Sequence, residues 1–323
     1  MTEPTVTRDP DLDPQILGML QMMDAAQAPP MYEGTAAQAR ASSRTTSVDM
    51  RDPASVPDVA AVEDITVPGG AGDLAARVYR PSLEGTRPTV VYFHGGGFAT
   101  GDLDTIDPTC RTMALLCDAV VVSVDYRLAP EHPAPAAAGD AVAAARWVAD
   151  HLDQLGGTDV LGVAGDSAGG NLAAGVAQAF RDEGRSLAGQ LLFYPLTDLA
   201  DPDGYPSMSQ NAYGYLIDKP TVAWFTDQYV GHLDGAHRAD PTLSPLHGDV
   251  TGVAPAVVAT AQFDVLRDQG TAYADKMRAA GVPVEVTNYP TLVHSFVDLV
   301  AMSTAARAAT EESLHRFGEL LHG

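Results

Sequence analysis

Apolar residues fall into three textures along the chain. In the first, Leu12, Ile16, Leu17, Leu20 and Met23 recur at helical spacing, which puts one apolar stripe on an α-helix. Asp11 precedes the run as a candidate N-cap, Pro29-Pro30 ends it, and Thr35 to Ser43 predicts a second, more polar helix. Such a segment cannot bury its own stripe, so it must lie on something else. The second texture begins at Val62. Short β-rich runs occur at Ile65–Val67, Ala76–Tyr79, Thr89–Phe93, Ala119–Val124, Val160–Ala164, Gln190–Tyr194, Ala256–Thr260 and Val284–Asn288. Several are apolar at consecutive positions, as strands covered on both faces are.

Helical stretches separate the later runs: Pro108–Cys117, Ala136–Leu155, Ala168–Glu183, Asp268–Ala280 and Ser303–Leu321. This alternation predicts an α/β fold with a mostly parallel sheet wrapped by helices. The first two strands have no helix between them and predict an antiparallel edge. The third texture is the interval between Leu196 and Ala254, rich in Pro, Gly, Asp and Tyr, with one clear helix near Thr221–Val230. It is too long for a plain loop. With the N-terminal helices it reads as a cap over the C-terminal edge of the sheet, where open α/β sheets place ligands. The expected division is therefore N-terminal cap helices over 1–50 and a catalytic body over 51–323, with a cap insertion at about 200–235.

Composition narrows the function. The 323 residues are 46% hydrophobic, enough for a large core, and carry 42 acidic against 19 basic residues, a net charge of −23. A surface of that sign repels phosphate backbones and anionic lipid, which argues against nucleic-acid and stable membrane partners. No run approaches the ~18–20 apolar residues needed to cross a bilayer. The start, Met1-Thr2-Glu3-Pro4, has neither a basic region nor an adjoining apolar stretch, so no secretory signal is expected. Cys110 and Cys117 are seven apart in a predicted helix, placing their Cα atoms about 10 Å apart, too far for a disulfide. With no Cys/His ligand set beside them, they read as buried thiols in a reducing compartment, and the expected location is the cytoplasm.

The sharpest chemical signal is Gly165-Asp166-Ser167-Ala168-Gly169-Gly170, between the strand Val160–Ala164 and a helix starting near Ala168. A Gly-x-Ser-x-Gly in a strand–turn–helix context is a nucleophile elbow. The tight turn lifts the hydroxyl above the sheet and sets it at a helix N-terminus, whose dipole favours developing negative charge. The bland alternative is a glycine-rich turn with a serine cap. Serine needs a base to take its proton, and in this architecture the order is Ser, acid, His. Among nine histidines, His294 stands a few residues past the last strand, in a loop leaving the expected edge. Asp264 ends the penultimate strand, while Asp268 is better placed as a helix N-cap or first-turn charge. Asp264 follows Ser167 by 97 residues and precedes His294 by 30. The strand Thr89–Phe93 runs into His94-Gly95-Gly96-Gly97-Phe98, whose bare backbone can approach a ligand. With the N–H after the nucleophile, it offers oxyanion donors at Gly96, Gly97 and Ala168. His94 precedes the elbow and reads as ordering this loop.

A rival is a dinucleotide fingerprint from Gly95, Gly97 and Gly101 with Asp125 at the next strand's end. It requires a helix starting inside the glycine loop, yet Asp102 to Pro108 reads as further loop, and it leaves Ser167 unexplained.

Taken together, the chain resembles the hormone-sensitive-lipase-like (family IV type) carboxylesterases of the α/β-hydrolase superfamily. The resemblance rests on His94–Phe98, Asp125–Pro133, Gly165–Asn171, Tyr194-Pro195 and the surroundings of Asp264 and His294, and spans about residue 60 to the C-terminus. It implies an α/β-hydrolase fold with a mostly parallel eight-stranded sheet flanked by helices, a helical cap, no cofactor and no metal. It implies a serine esterase acting on short- to medium-chain acyl esters, with nucleophile Ser167, acid Asp264, base His294 and oxyanion glycines Gly96 and Gly97. Two positions depart from the family pattern: Val265 stands where proline is usual, and Ser295 where glycine is usual. In Tyr126 to Pro133, Pro130 and Pro133 are expected to shape a turn and Arg127 to pair with Glu131. Phe98 and Met22, the latter within the Met19, Met22, Met23 cluster, are candidates for lining the substrate pocket. The expected partner is a small ester, with a homodimer as the conceivable assembly. The alternatives are an amidase or deacetylase with the same triad, and a non-catalytic receptor on the same fold, which should lack the base.

Overall fold

The computed structural model describes residues 8–323; the first seven, on which the secretion reading rested, lie outside the described residues. Eight strands form one sheet: β1 Ala61–Gly69, β2 Gly72–Arg80, β3 Arg87–Phe93, β4 Val120–Val124, β5 Gly157–Asp166, β6 Gly189–Phe193, β7 Ala256–Phe263 and β8 Val284–Val293, in the order β1-β2-β4-β3-β5-β6-β7-β8. β1 pairs antiparallel with β2, and β2 antiparallel with β4, so the edge is the hairpin its helix-free spacing predicts. From β4 to β8 every pairing is parallel.

The helices are α1 Pro14–Ala26, α2 Ala36–Arg44, α3 Asp107–Leu116, α4 Ala136–Asp150, α5 Leu152–Leu155, α6 Ala168–Asp182, α7 Pro206–Gln210, α8 Lys219–Val230, α9 Gly235–Arg238, α10 Arg267–Ala279 and α11 Thr304–His322. Both faces of the sheet are covered, which the two-residue period of a strand turns into two cores. Val91, Phe93, Val122 and Val163 join residues of α4, α6 and α10 in one cluster. Val90, Tyr92, Val121 and Ala164 join residues of α1, α3 and α11 in the other. Cys110 and Cys117 are buried unpaired thiols of this second core. Burial pushes both up, Cys117 to about 12, so both are inert thiols at neutral pH. No helix among the described residues is long and apolar enough to cross a membrane.

Two local expectations need correction. The cap of α1 is Asp13, not Asp11: its carboxylate accepts from Gln15 N at 3.0 Å and Ile16 N at 2.9 Å. Pro14 decides this, since a proline lacking an N–H fits the first helical position and pushes the cap to the residue before it. The stretch expected as one helix over Ala136–Leu155 breaks at His151, which leaves helical space at φ −131° while its Nδ1 donates to Trp147 O at 2.7 Å.

Between β6 and β7 the chain leaves the sheet through α7, α8 and α9. α8 reaches back over the strand ends: a Cβ built on Gly97 would meet Phe225 at 2.2 Å. α1 and α2 flank the same edge, α1 burying Ile16, Met19 and Leu20.

Candidate active site

Three strands deliver the three side chains singled out from the sequence. Ser167 follows β5, Asp264 follows β7 and His294 follows β8. Since these strands are parallel, all three reach the same edge. Ser167 sits at φ 54°, ψ −116°, a conformation costly for a residue with a side chain. The flanking glycines explain why the turn closes: a Cβ on Gly165 would lie 2.3 Å from Gly169 O, and one on Gly169 only 1.9 Å from Phe93 O. Any other residue would push the elbow off the strands. Ser167 N donates to Phe193 O at 2.9 Å, pinning the elbow to β6.

His294 Nε2 lies 2.9 Å from Ser167 Oγ, and its Nδ1 lies 2.8 Å from Asp264 Oδ2. An ionised carboxylate only accepts, so Nδ1 carries the ring proton and Nε2 is left to accept the serine proton. Asp264 is fully buried, and its other oxygen accepts from Leu266 N at 2.8 Å. Asn211 of the cap segment donates to the Asp264 backbone carbonyl at 2.9 Å. Asp268 lies in the first turn of α10, where it accepts from Ser207 N at 2.8 Å. Ser295 adopts φ 62°. The left-handed backbone that explains glycine at this place is kept here by a serine.

The glycine loop faces the same point. Gly96 and Gly97 have φ 108° and 58°. No acceptor among the described residues takes the N–H of Gly96, Gly97 or Ala168, so three backbone donors stand free beside Ser167. Asp166 ties this loop to the elbow. Its Oδ1 accepts from Gly95 N at 2.9 Å and from Tyr92 Oη at 2.8 Å, and burial pushes its carboxyl up. His94 is buried, stacks on Tyr126 with ring centroids 4.4 Å apart, and donates from Nδ1 to Gly95 O at 2.7 Å. Burial pushes its imidazole down, so it orders the loop as a neutral ring.

A family profile described as alpha/beta hydrolase fold matches residues 90–298. The chain is 42% identical to carboxylesterase NlhH of Mycobacterium tuberculosis over 328 aligned positions, covering all of both chains. It is 35% identical to an ethyl acetate hydrolase of Pseudomonas putida, over 88% of this chain and 92% of that one. Among solved structures, an α/β hydrolase from the metagenome of Lake Arreo, Spain, superposes with a TM-score of 0.91 at 38% identity, covering 98% of this chain and 100% of that one. An esterase of Pyrobaculum calidifontis gives 0.87 at 38% identity, covering 96% and 99%. The chain belongs to the hormone-sensitive-lipase-like carboxylesterases of the α/β-hydrolase fold.

In this esterase a pocket opens beside Ser167, lined by Gly97, Phe98, Leu199, Val222, Phe225 and Leu266 among others, with room for about 20 Å³. Phe98 is among the lining residues, its ring stacked on Tyr229 at 3.9 Å. Met22 is not. It is 67% exposed, because α1 buries the face of Ile16, Met19 and Leu20. Met22 lies two positions beyond Leu20, about 200° around the helix. A larger depression of about 450 Å³ lies at the opposite end of β3 and β5, bounded by Arg87, Asp118, Thr158 and His322, and holds neither serine nor cysteine.

The expected Arg127–Glu131 pair does not form. Arg127 forks onto the buried Asp140 at 2.8 and 2.7 Å, whereas Glu131 takes Arg40 from α2 at 2.9 Å. A buried carboxylate needs a charged partner more than an exposed one does, and Asp140 is the buried one. Of Asp166, Asn211, Phe225 and Arg40, the last three carried no sequence signal beyond their neighbours. Only Asp166 could have been flagged, by its place within the elbow.

Proposed function

We propose that this carboxylic ester hydrolase works through an acyl-enzyme on Ser167, with His294 as base, Asp264 orienting the imidazole, and the N–H groups of Gly96, Gly97 and Ala168 receiving the oxyanion. The observation that carries the reading is the unbroken hydrogen-bond chain from Ser167 Oγ through His294 to Asp264, at 2.9 and 2.8 Å. Ser167 Oγ attacks the ester carbonyl as its proton passes to His294 Nε2, and Asp264 stabilises the imidazolium. The carbonyl oxygen, now anionic, falls to the free loop amides. His294 then protonates the departing alcohol oxygen. Water repeats the sequence against the acyl-serine, releasing the acid.

The preference for short to medium acyl chains is proposed on the apolar lining beside Ser167, which includes Phe98, Leu199, Val222 and Phe225. The names of the relatives, a carboxylesterase and an ethyl acetate hydrolase, support the same class. Two buried free thiols suit a reducing compartment, and the proposal places the enzyme in the cytoplasm.

A series of p-nitrophenyl esters from acetate to dodecanoate tests the reading, run with and without a serine-directed organophosphate and beside a matched amide. Turnover should be highest at the short end, vanish with the organophosphate, and fall by at least about 10³-fold in Ser167→Ala. A Ser167→Ala enzyme keeping more than about 5% of turnover would remove Ser167 from the chemistry.

A further inference from the structure

Arg40 joins the N-terminal segment to the glycine loop. Arg40 of α2 donates from Nε to Ala99 O at 2.8 Å and from Nη2 to Ala129 O at 2.8 Å. Among the described residues no other donor reaches either carbonyl. A guanidinium can make both bonds at once because its donors form a rigid fork.

The peptide units behind Ala99 turn this contact into a relay. The Ala99 carbonyl and the Thr100 N–H belong to one planar peptide unit, and Thr100 N donates to Gly96 O at 2.9 Å. The Gly96 carbonyl and the Gly97 N–H belong to the next such unit in the relay, and that N–H is one of the free donors beside Ser167. Fixing the carbonyl end of each plane fixes the direction of its N–H. The second arm of the fork holds Ala129, whose N donates to Phe98 O at 2.8 Å. Phe98, next to the positive-φ glycines Gly96 and Gly97, itself has φ 61°, a conformation costly for a residue with a side chain that persists only where its surroundings over-determine it.

We propose that Arg40 is a positioning residue for ester hydrolysis: through the Ala99–Thr100 and Gly96–Gly97 peptide units it aims and polarises the Gly97 N–H at the oxyanion. The proposal rests on the ester-hydrolase reading above. It gives the N-terminal segment a part in turnover rather than only in covering the sheet. α2 itself is held in place by a capping box between Thr35 and Gln38. Beyond it, Arg44 pairs with Asp102 at 2.7 Å and Asp104 at 2.6 Å, and Arg51 donates to Asp104 O at 2.9 Å. Glu131 neutralises Arg40 from the solvent side, and the guanidinium beside it holds its carboxyl down at about 2. Glu131 is therefore ionised at neutral pH. Chains of hydrogen bonds polarise one another, so a cation at the far end strengthens the last donor.

The test uses the full chain, with every preparation normalised by active-site titration. Wild type, Arg40→Met, Arg40→Lys and Glu131→Gln are compared for kcat and KM on p-nitrophenyl acetate. Each is also compared for inhibition by a trifluoromethyl ketone, which forms a tetrahedral oxyanion on the serine. Arg40→Met should lose about 10- to 100-fold in kcat, less than deleting an oxyanion donor outright, with KM within about threefold. Its ketone affinity should weaken by the same factor as kcat/KM. Glu131→Gln leaves both carbonyl bonds intact and should stay within about threefold of wild type. Should Arg40→Met not fold, Arg40→Lys decides: it keeps the charge but lacks the fork that bridges two carbonyls, and its kcat should fall at least about fivefold. Arg40 variants with kcat within threefold of wild type overturn the proposal, even if they melt earlier. So does a Glu131→Gln loss as large as that of Arg40→Met, since it would mean that the ion pair only docks the segment. A wild-type enzyme inert on every ester would fell the functional reading first, and this inference with it.

Discussion

The glycine loop is gripped from two sides by opposite means. On the inside, Asp166 is a carboxylate from the catalytic body, 4% exposed, next in sequence to Ser167. It accepts from the loop's first amide, at Gly95, and from Tyr92 Oη. On the outside, Arg40 is a guanidinium from a separate helix, with its side chain 30% exposed. It donates to the loop's trailing carbonyl at Ala99. The inner grip comes with the elbow and cannot detach from it. The outer grip depends on a helix that must first dock. A loop that has to keep amides unsatisfied needs its other polar groups occupied, and the two grips share that work with His94, Thr100 and Ala129, which satisfy the Gly95, Gly96 and Phe98 carbonyls.

Breaking the inner grip should show the larger effect. Asp166→Ala orphans the Tyr92 hydroxyl and the Gly95 amide, each at about 1–3 kcal/mol when buried, so urea unfolding should report a loss of about 2–6 kcal/mol. Surviving enzyme should lose about 100-fold in kcat as the loop drifts from Ser167. Asp166→Asn sharpens the comparison. Its amide oxygen can still accept both bonds, so activity should stay within about tenfold of wild type if acceptance, not charge, is what the loop needs. Asp166→Ala at wild-type kcat would leave the outer grip to hold the loop alone.

The smallest expected effect lies on the outer side, where acids outnumber their partners. Burial, and then the neighbouring Asp102 and Asp104, push the Asp125 carboxyl up to about 6. It makes no side-chain hydrogen bond among the described residues. Its folded value lies above the unfolded one of about 3.9, so the folded state loses stability as pH rises between those values and carries the full penalty above about 6. Asp125→Asn should therefore stabilise the enzyme by about 1–2 kcal/mol at pH 7.5, and by nothing below about pH 4. Denaturant titrations at the two pH values check both the size and its disappearance. A gain that persisted at low pH would point to packing rather than charge.

Much of the fold was legible because its signals are local. All eight strands were marked by short β-rich runs, and the antiparallel edge by the missing helix between β1 and β2. The elbow was legible for the same reason, since Gly165, Ser167 and Gly169 must be neighbours for that turn to close. His294 and Asp264 were found at longer range because each sits at the end of a strand whose direction is forced by a parallel sheet. The cap of α1 was misplaced by two residues where Pro14 outweighed the periodicity. Met22 was a pocket candidate because methionine adapts to varied shapes, although the face of α1 carrying Ile16, Met19 and Leu20 turns it to solvent.

By itself the sequence marked where the eight strands run, where the proposed nucleophile stands and which histidine and carboxylate can reach it, because backbone geometry and chain direction limit each choice to a few positions. Only the tertiary structure decided who partners whom among the charges: Arg127 with Asp140 rather than Glu131, Arg40 with Glu131 and the Ala99 carbonyl, Asp166 with Gly95. Arginines and carboxylates are interchangeable in a one-dimensional reading. What separates them is burial, and burial exists only once distant segments have packed.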